Sequence, residues 1–142
     1  MARISRIALP ITLVAGFYLL VSGNLFSLNL LLIVQVLALS VMPWARRSFQ
    51  ADQFSIHAQP KEGCMLVSGP YQFVRHPMYA SALMIIWAGI LGHLSPLNLL
   101  IGLVVTCVVT IRILVEEQFL QSHFPDYAKY AHTTKRIIPF VV

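Results

Sequence analysis

Apolar residues in this chain gather into four long runs, at residues 7–21, 28–44, 78–94 and 97–115. A helix needs about 20 residues, and no fewer than about 17, to cross the hydrocarbon core of a bilayer. The first run reaches that length if it continues past Ser22, Gly23 and Asn24 to Leu25 and Phe26. The runs are separated by two short polar connections, around Gly23–Asn24 and His93–Ser95, and by one long central stretch. Short connections predict antiparallel hairpins of the first with the second helix, and of the third with the fourth. The pattern predicts an all-α membrane protein with about four transmembrane helices.

Composition supports that class. Of 142 residues, 58% are hydrophobic and 11% charged, and the mean hydropathy is +0.76. A soluble domain of this size needs more charge to cover its surface. The length suits one membrane-embedded unit over residues 1–142. The positive charges then orient it: Arg3, Arg6, Arg46, Arg47, Lys61, Arg75, Arg112, Lys129, Lys135 and Arg136 all avoid the two short connections. By the positive-inside rule both termini and the central loop are expected in the cytosol, the membrane being the inner or plasma membrane if the source is bacterial. A net charge of +5 then serves orientation and contact with anionic lipid headgroups. A nucleic-acid partner is not expected, because the basic residues are interleaved with spanning helices rather than gathered on one soluble face. Arg3 and Arg6 before an apolar run also suit a signal peptide, but no small-residue cleavage site follows, and a second apolar run comes at once. Cys64 and Cys107 fall on different layers without metal or redox spacing, so neither a disulfide nor a metal site is expected.

The central stretch, residues 45–76, is long enough to carry structure or function of its own. Residues 46–56 mix Phe49, Phe54 and Ile56 with charges and suit a short interfacial helix. Pro60, Gly63, Gly69, Pro70 and Pro77 then break the chain repeatedly. After the fourth run, residues 116–130 read as a continuing amphipathic helix interrupted near Pro125, and Pro139 precedes a short apolar end at residues 140–142. Almost all polar chemistry therefore lies in residues 57–79 and 112–136, which must face each other over one end of the bundle.

Two groups of residues in those segments admit a functional and a plain reading. Tyr71, Phe73 and Tyr79 offer ring faces for a cation or a base, and Pro77 opens a helix whose first amides are unpaired. The plain reading is an interfacial aromatic belt with Arg75 snorkelling to the surface. Arg112 and Glu116 are four residues apart and share a helix face, with Glu117 about 100° further round. Such charges at a membrane boundary are costly unless paired or bound to a ligand. They are either an intrahelical salt bridge with one solvated glutamate or a site for an ammonium or ribose hydroxyls. Of the histidines outside this group, His57, His93, His123 and His132 lack metal-ligand spacing, and His93 reads as structural.

The run Leu66 to Tyr79, with Gly69-Pro70-Tyr71 and Arg75-His76-Pro77-Met78-Tyr79, resembles the signature of the isoprenylcysteine carboxyl methyltransferase family, which is itself similar to the phospholipid N-methyltransferases. The second family signature is matched in order by Glu116-Glu117, Phe124, Tyr127, Tyr130, Arg136 and Pro139. The resemblance covers residues 62–140. It implies a helical bundle whose cytosolic loop and C-terminal segment cap S-adenosylmethionine, with an opening toward lipid for a lipophilic or amphipathic small substrate. By this similarity the Met65-Leu66 backbone, Tyr71, His76, Pro77, Met78 and Tyr79 line the cofactor, and Glu116 holds it with help from Glu117. Arg112 is similar in position to an arginine that meets the reacting group, while Arg75 either anchors the loop or assists there. A carboxylate acceptor is favoured and needs no general base, since Arg112 can orient it; an amine acceptor would need one, from His76 or a glutamate.

The chain departs from the pattern in two places. Ser81 stands where the family often has glycine, and only four spans are expected, fewer than in the eukaryotic carboxyl methyltransferases. Prenylcysteine specificity therefore does not carry over, and a homodimer is one way to supply a missing wall. Two alternatives belong to other classes. Membrane reductases of related fold bind NADPH but usually carry Asn in place of Met78 and Arg-Asp in place of the glutamate pair. The other alternative is a non-catalytic membrane scaffold.

Overall fold

The computed structural model describes residues 2–26, 28–48 and 67–137. Met65, Leu66, Cys64, His57, Pro139, the apolar end and most of the expected interfacial helix lie outside the described residues. Five α-helices follow in order: α1 (Ala2–Val21), α2 (Leu30–Arg47), α3 (Pro77–Gly92), α4 (Pro96–His123) and α5 (Tyr127–Thr133). A 3₁₀ turn at Gly69–Gln72 precedes α3, and the described residues contain no strand. Each apolar run has become a helix. α2 and α4 are long and apolar enough to cross a membrane, whereas α3 and the apolar part of α1, Ile7–Val21, are shorter.

The helix ends follow local chemistry. Asn29 caps α2 by accepting from Leu31 N at 2.8 Å, and Ser95 caps α4 by accepting from Asn98 N at 3.1 Å. Pro77 and Pro96 occupy first-turn positions, where the missing N–H costs nothing. The turn between α3 and α4 is closed by Asn98 Nδ2, buried and donating to His93 O at 2.7 Å. At the other end, α4 stops before Phe124-Pro125, and α5 restarts two residues later.

The packing corrects one expectation. α3 and α4 form the antiparallel hairpin foreseen, but α1 packs chiefly against α4, and α2 against α3. The reason is visible in the connection between α1 and α2, which lies across α3 instead of folding back on itself. Leu25 O sits where a Cβ on Gly89 would approach it to 2.3 Å, so only glycine admits the backbone there. Gln35, fully buried midway along α2, fixes the same crossing from the other side. Its Nε2 donates to Leu25 O at 2.6 Å and to Ile85 O at 3.1 Å. A buried amide without such partners would cost on the order of 1–3 kcal/mol.

The core joins Leu19 of α1 with Leu83, Ile86 and Ile90 of α3 and Val105, Val109 and Ile113 of α4. The outer faces of α1 and α2 are just as apolar but uncovered: Val14 and Phe17 are 69% and 67% exposed. A face of that kind suits lipid rather than water. Ser81, at the position where the family often has glycine, is buried and donates its hydroxyl to Met78 O at 3.0 Å. The added oxygen is thereby satisfied inside its own helix.

Gly89→Ala should destabilise the protein by about 1–3 kcal/mol, the usual cost of overpacking, because the colliding atom is backbone. Gly16→Ala, where nothing lies within 4 Å, should be neutral or slightly stabilising. Thermal unfolding of both variants in the same detergent checks the contrast; equal midpoints would contradict the crossing.

Candidate active site

Two polar clusters meet at the end of the bundle where α3 begins and α4 ends. The first centres on Glu117, whose side chain is 6% exposed. Its Oε1 accepts from Arg75 Nε at 2.9 Å and its Oε2 from Arg136 Nε at 2.9 Å. Arg75, with a side chain 9% exposed, also donates through Nη1 to Ala131 O at 2.8 Å and to Thr134 O. One guanidinium therefore ties the loop before α3 to α4, to α5 and to the segment after it. Such charge-assisted bonds hold geometry well when each polar atom is partnered.

The backbone repeats this connection. Val74 and Lys135 form a parallel bridge, Arg75 N donates to Lys135 O at 2.7 Å, and His76 N donates to Arg136 O at 3.0 Å. Tyr130 adds its hydroxyl to Tyr71 O. The two segments singled out by sequence are thus laced together over residues 71–76 and 130–136. Gly69 opens the 3₁₀ turn before this pairing at φ +62°, a backbone conformation that favours glycine.

The second cluster lies beside the first. The Tyr79 hydroxyl accepts from Arg112 Nε at 2.6 Å and donates to Glu116 Oε2 at 2.9 Å. Arg112 is 8% exposed, and its Cζ lies 5.8 Å from the centre of the Tyr79 ring. Sequence spacing brought Arg112 and Glu116 to one helix face; the phenol of Tyr79, from the neighbouring helix, stands between their functional groups. Glu116 is half-buried. Tyr71 lies near enough that burial, and after it the charge of Glu116, pushes its phenol well above the usual range. Burial also raises Tyr130, to about 12, against the lowering effects of Thr134 and Arg75. Both phenols are therefore neutral donors at pH 7.

His76 links the clusters. It is 4% exposed, its ring stacks on Tyr79 at 5.7 Å between centroids, and its Nε2 lies 3.5 Å from Glu117 Oε1. At the cap position of α3 it makes no side-chain capping bond.

Of the residues expected in the site, Tyr71, Arg75, His76, Tyr79, Arg112, Glu116 and Glu117 fall within or beside these clusters, and Pro77 and Met78 form the first turn of α3 between His76 and Tyr79. Arg75, whose role sequence left open, makes the bonds of an anchor. Glu117 holds two arginines, while Glu116 is engaged by Tyr79. Sequence reasoning gave no role to Gln35, Thr134 or Ala131. Their contributions are a buried amide and two carbonyls, and backbone acceptors leave no trace in residue type. Tyr127 was placed only as a motif member. It is 1% exposed, and its buried hydroxyl has no hydrogen-bond partner among the described residues.

Removing the carboxylate of Glu117 leaves buried Arg75 unpaired. Glu117→Ala should therefore cost about 3–5 kcal/mol. Arg136→Ala, whose side chain is 45% exposed, should cost at most about 1 kcal/mol. Thermal midpoints in detergent check the ranking, and a Glu117→Ala midpoint equal to that of the parent would contradict the anchor.

Residues 11–127 match a family model described as phospholipid methyltransferase. The cobalt-zinc-cadmium resistance protein CzcN of Cupriavidus metallidurans is 31% identical over 80 residues, 56% of this chain and 37% of that relative. The match thus spans little more than a third of that relative's length. With the family model covering most of the chain, from the second half of α1 through α4, the chain belongs to the phospholipid methyltransferase family, in the group of membrane methyltransferases that its two signatures resemble.

Proposed function

We propose that this protein is an S-adenosylmethionine-dependent methyltransferase acting on a membrane-associated or amphipathic small molecule. The observation that carries the reading is the Arg112–Tyr79–Glu116 chain, flanked by Tyr71 and His76 where both family signatures converge. Methyl transfer from a sulfonium is an in-line displacement, so positioning and electrostatics supply most of the rate. The cofactor supplies the activated methyl group; the protein has only to hold it and aim the acceptor.

The residues present fit such a group. Glu116 offers a half-buried carboxylate for an ammonium or for ribose hydroxyls, with the phenols of Tyr71 and Tyr79 beside it. Arg112 then faces the acceptor. A carboxylate acceptor, the first choice from sequence, would use paired bonds from Arg112. Tyr79 already occupies Arg112 Nε, which removes the side-on edge of the fork for that purpose and keeps an amine acceptor in contention. Four spans with both termini in the cytosol complete the reading. They are supported by the one-sided placement of the basic residues and by the apolar outer faces of α1 and α2. The NADPH reductase alternative is disfavoured by Met78 and the glutamate pair.

Thermal unfolding of the detergent-purified protein with S-adenosylhomocysteine or NADPH tests this. At about 100 times its dissociation constant, a ligand of the folded state adds about 2.7 kcal/mol, so the first compound should raise the midpoint clearly and NADPH should not. Absence of a shift at millimolar S-adenosylhomocysteine would overturn the reading. Glu116→Ala should lose the shift while the unliganded midpoint stays near that of the parent; normal binding by that variant would remove Glu116 from the cofactor site.

A further inference from the structure

We propose that His76 is the catalytic base of this site and that Glu117 fixes its tautomer. The inference rests on the methyltransferase reading and assigns a role that the reading itself does not require. Three observations carry it. The imidazole is almost fully buried, at 4% exposure, and among the described residues Nε2 has no hydrogen-bond partner at normal distance. Glu117 Oε1 lies 3.5 Å from that nitrogen, a contact that shortens to a hydrogen bond with a small movement of the ring. The side chain takes no part in capping α3, although capping is the ordinary use of a polar side chain at that position.

Glu117 can only accept. A bond between the two therefore puts the proton of the neutral ring on Nε2 and leaves the lone pair on Nδ1. The carboxylate cannot turn away to another task, because Arg75 Nε and Arg136 Nε each hold one of its oxygens at 2.9 Å. The charged and titratable groups about the ring come from three directions. They are Glu117 on α4, Arg75 with Arg136 beyond it, and Tyr79 on α3. The ring stacks on Tyr79, whose hydroxyl touches Arg112. The base is thereby joined through Tyr79 to the group assigned to the acceptor.

The step balances for an acceptor that enters with a proton, such as an ammonium. His76 Nδ1 takes that proton as the N–H bond breaks. The freed nitrogen lone pair forms the new bond to the methyl carbon, while the electrons of the broken carbon–sulfur bond stay on sulfur. The imidazolium then releases its proton to water. A carboxylate acceptor needs none of this, so His76 divides the two acceptor classes.

The experiment uses the full chain in detergent with two probes, phosphatidylethanolamine and dodecanoate, and a methyl-labelled donor. With the amine probe, His76→Asn should lower kcat by 100-fold or more while changing KM for the donor by less than about threefold. The midpoint shift with S-adenosylhomocysteine should be retained. Independently of any turnover, ¹⁵N spectra of histidine-labelled protein should show His76 protonated at Nε2 and bare at Nδ1, its signals identified by their loss in the variant. Protonation at Nδ1, full turnover of the amine by His76→Asn, or loss of the ligand-induced shift each overturns the proposal; the last makes His76 a cofactor ligand. A wild-type protein that binds S-adenosylhomocysteine but methylates only dodecanoate overturns the base and leaves the methyltransferase reading intact. Failure to bind S-adenosylhomocysteine overturns both.

Discussion

The carboxylate of Glu117 is the point on which the polar end of this molecule depends. It is buried at the end of a long apolar helix, a place where an unpaired charge would cost several kcal/mol. Arg75 and Arg136 make it tolerable, and each comes from a different part of the chain. The loop before α3 and the segment after α5 are consequently bound to α4, and through Arg75 to each other by way of the Ala131 and Thr134 carbonyls. Once that junction is made, the backbone pairing of residues 74–76 with 135–136 follows. The neighbouring chain of Arg112, Tyr79 and Glu116 is set in place by the same helices.

The rest of the fold prepares this junction. α3 and α4 form the buried pair, and the starting end of the one and the finishing end of the other carry the site. α1 and α2 flank them, each showing an apolar face outward, with their connection laid over Gly89 and locked by Gln35. The apolar outer faces of α1 and α2 suit lipid, which asks only for apolar surface and an internally bonded backbone.

Much of this was legible in the residues. Run length gave the helices, Pro77 gave the start of α3, and the placement of ten basic residues pointed to one polar end. The two signature segments pointed to the same end and to a methyltransferase. Pairing across helices was not legible. A spacing of four put Arg112 and Glu116 on one face, but nothing in sequence announces that Tyr79 from another helix comes between them. The division of labour within the glutamate pair was hidden for the same reason: adjacent residues on a helix point about 100° apart, so one meets the arginines and the other the phenol. The packing of α1 on α4 was missed because a short connection implies a hairpin. Here a glycine on a third helix offered the connection a lower-energy path.

The central claim is that the loop before α3 and the segment after α5 close together into one cofactor site. Cysteines introduced by Val74→Cys and Lys135→Cys, with Cys64 and Cys107 replaced by serine, test it directly. Paired positions of a bridge lie within the range a disulfide can span. The account predicts that mild oxidation links the two efficiently in the membrane-embedded protein, and that the linked protein still gains thermal stability from S-adenosylhomocysteine. A pair that does not link, or a linked protein that no longer responds to the ligand, would contradict it.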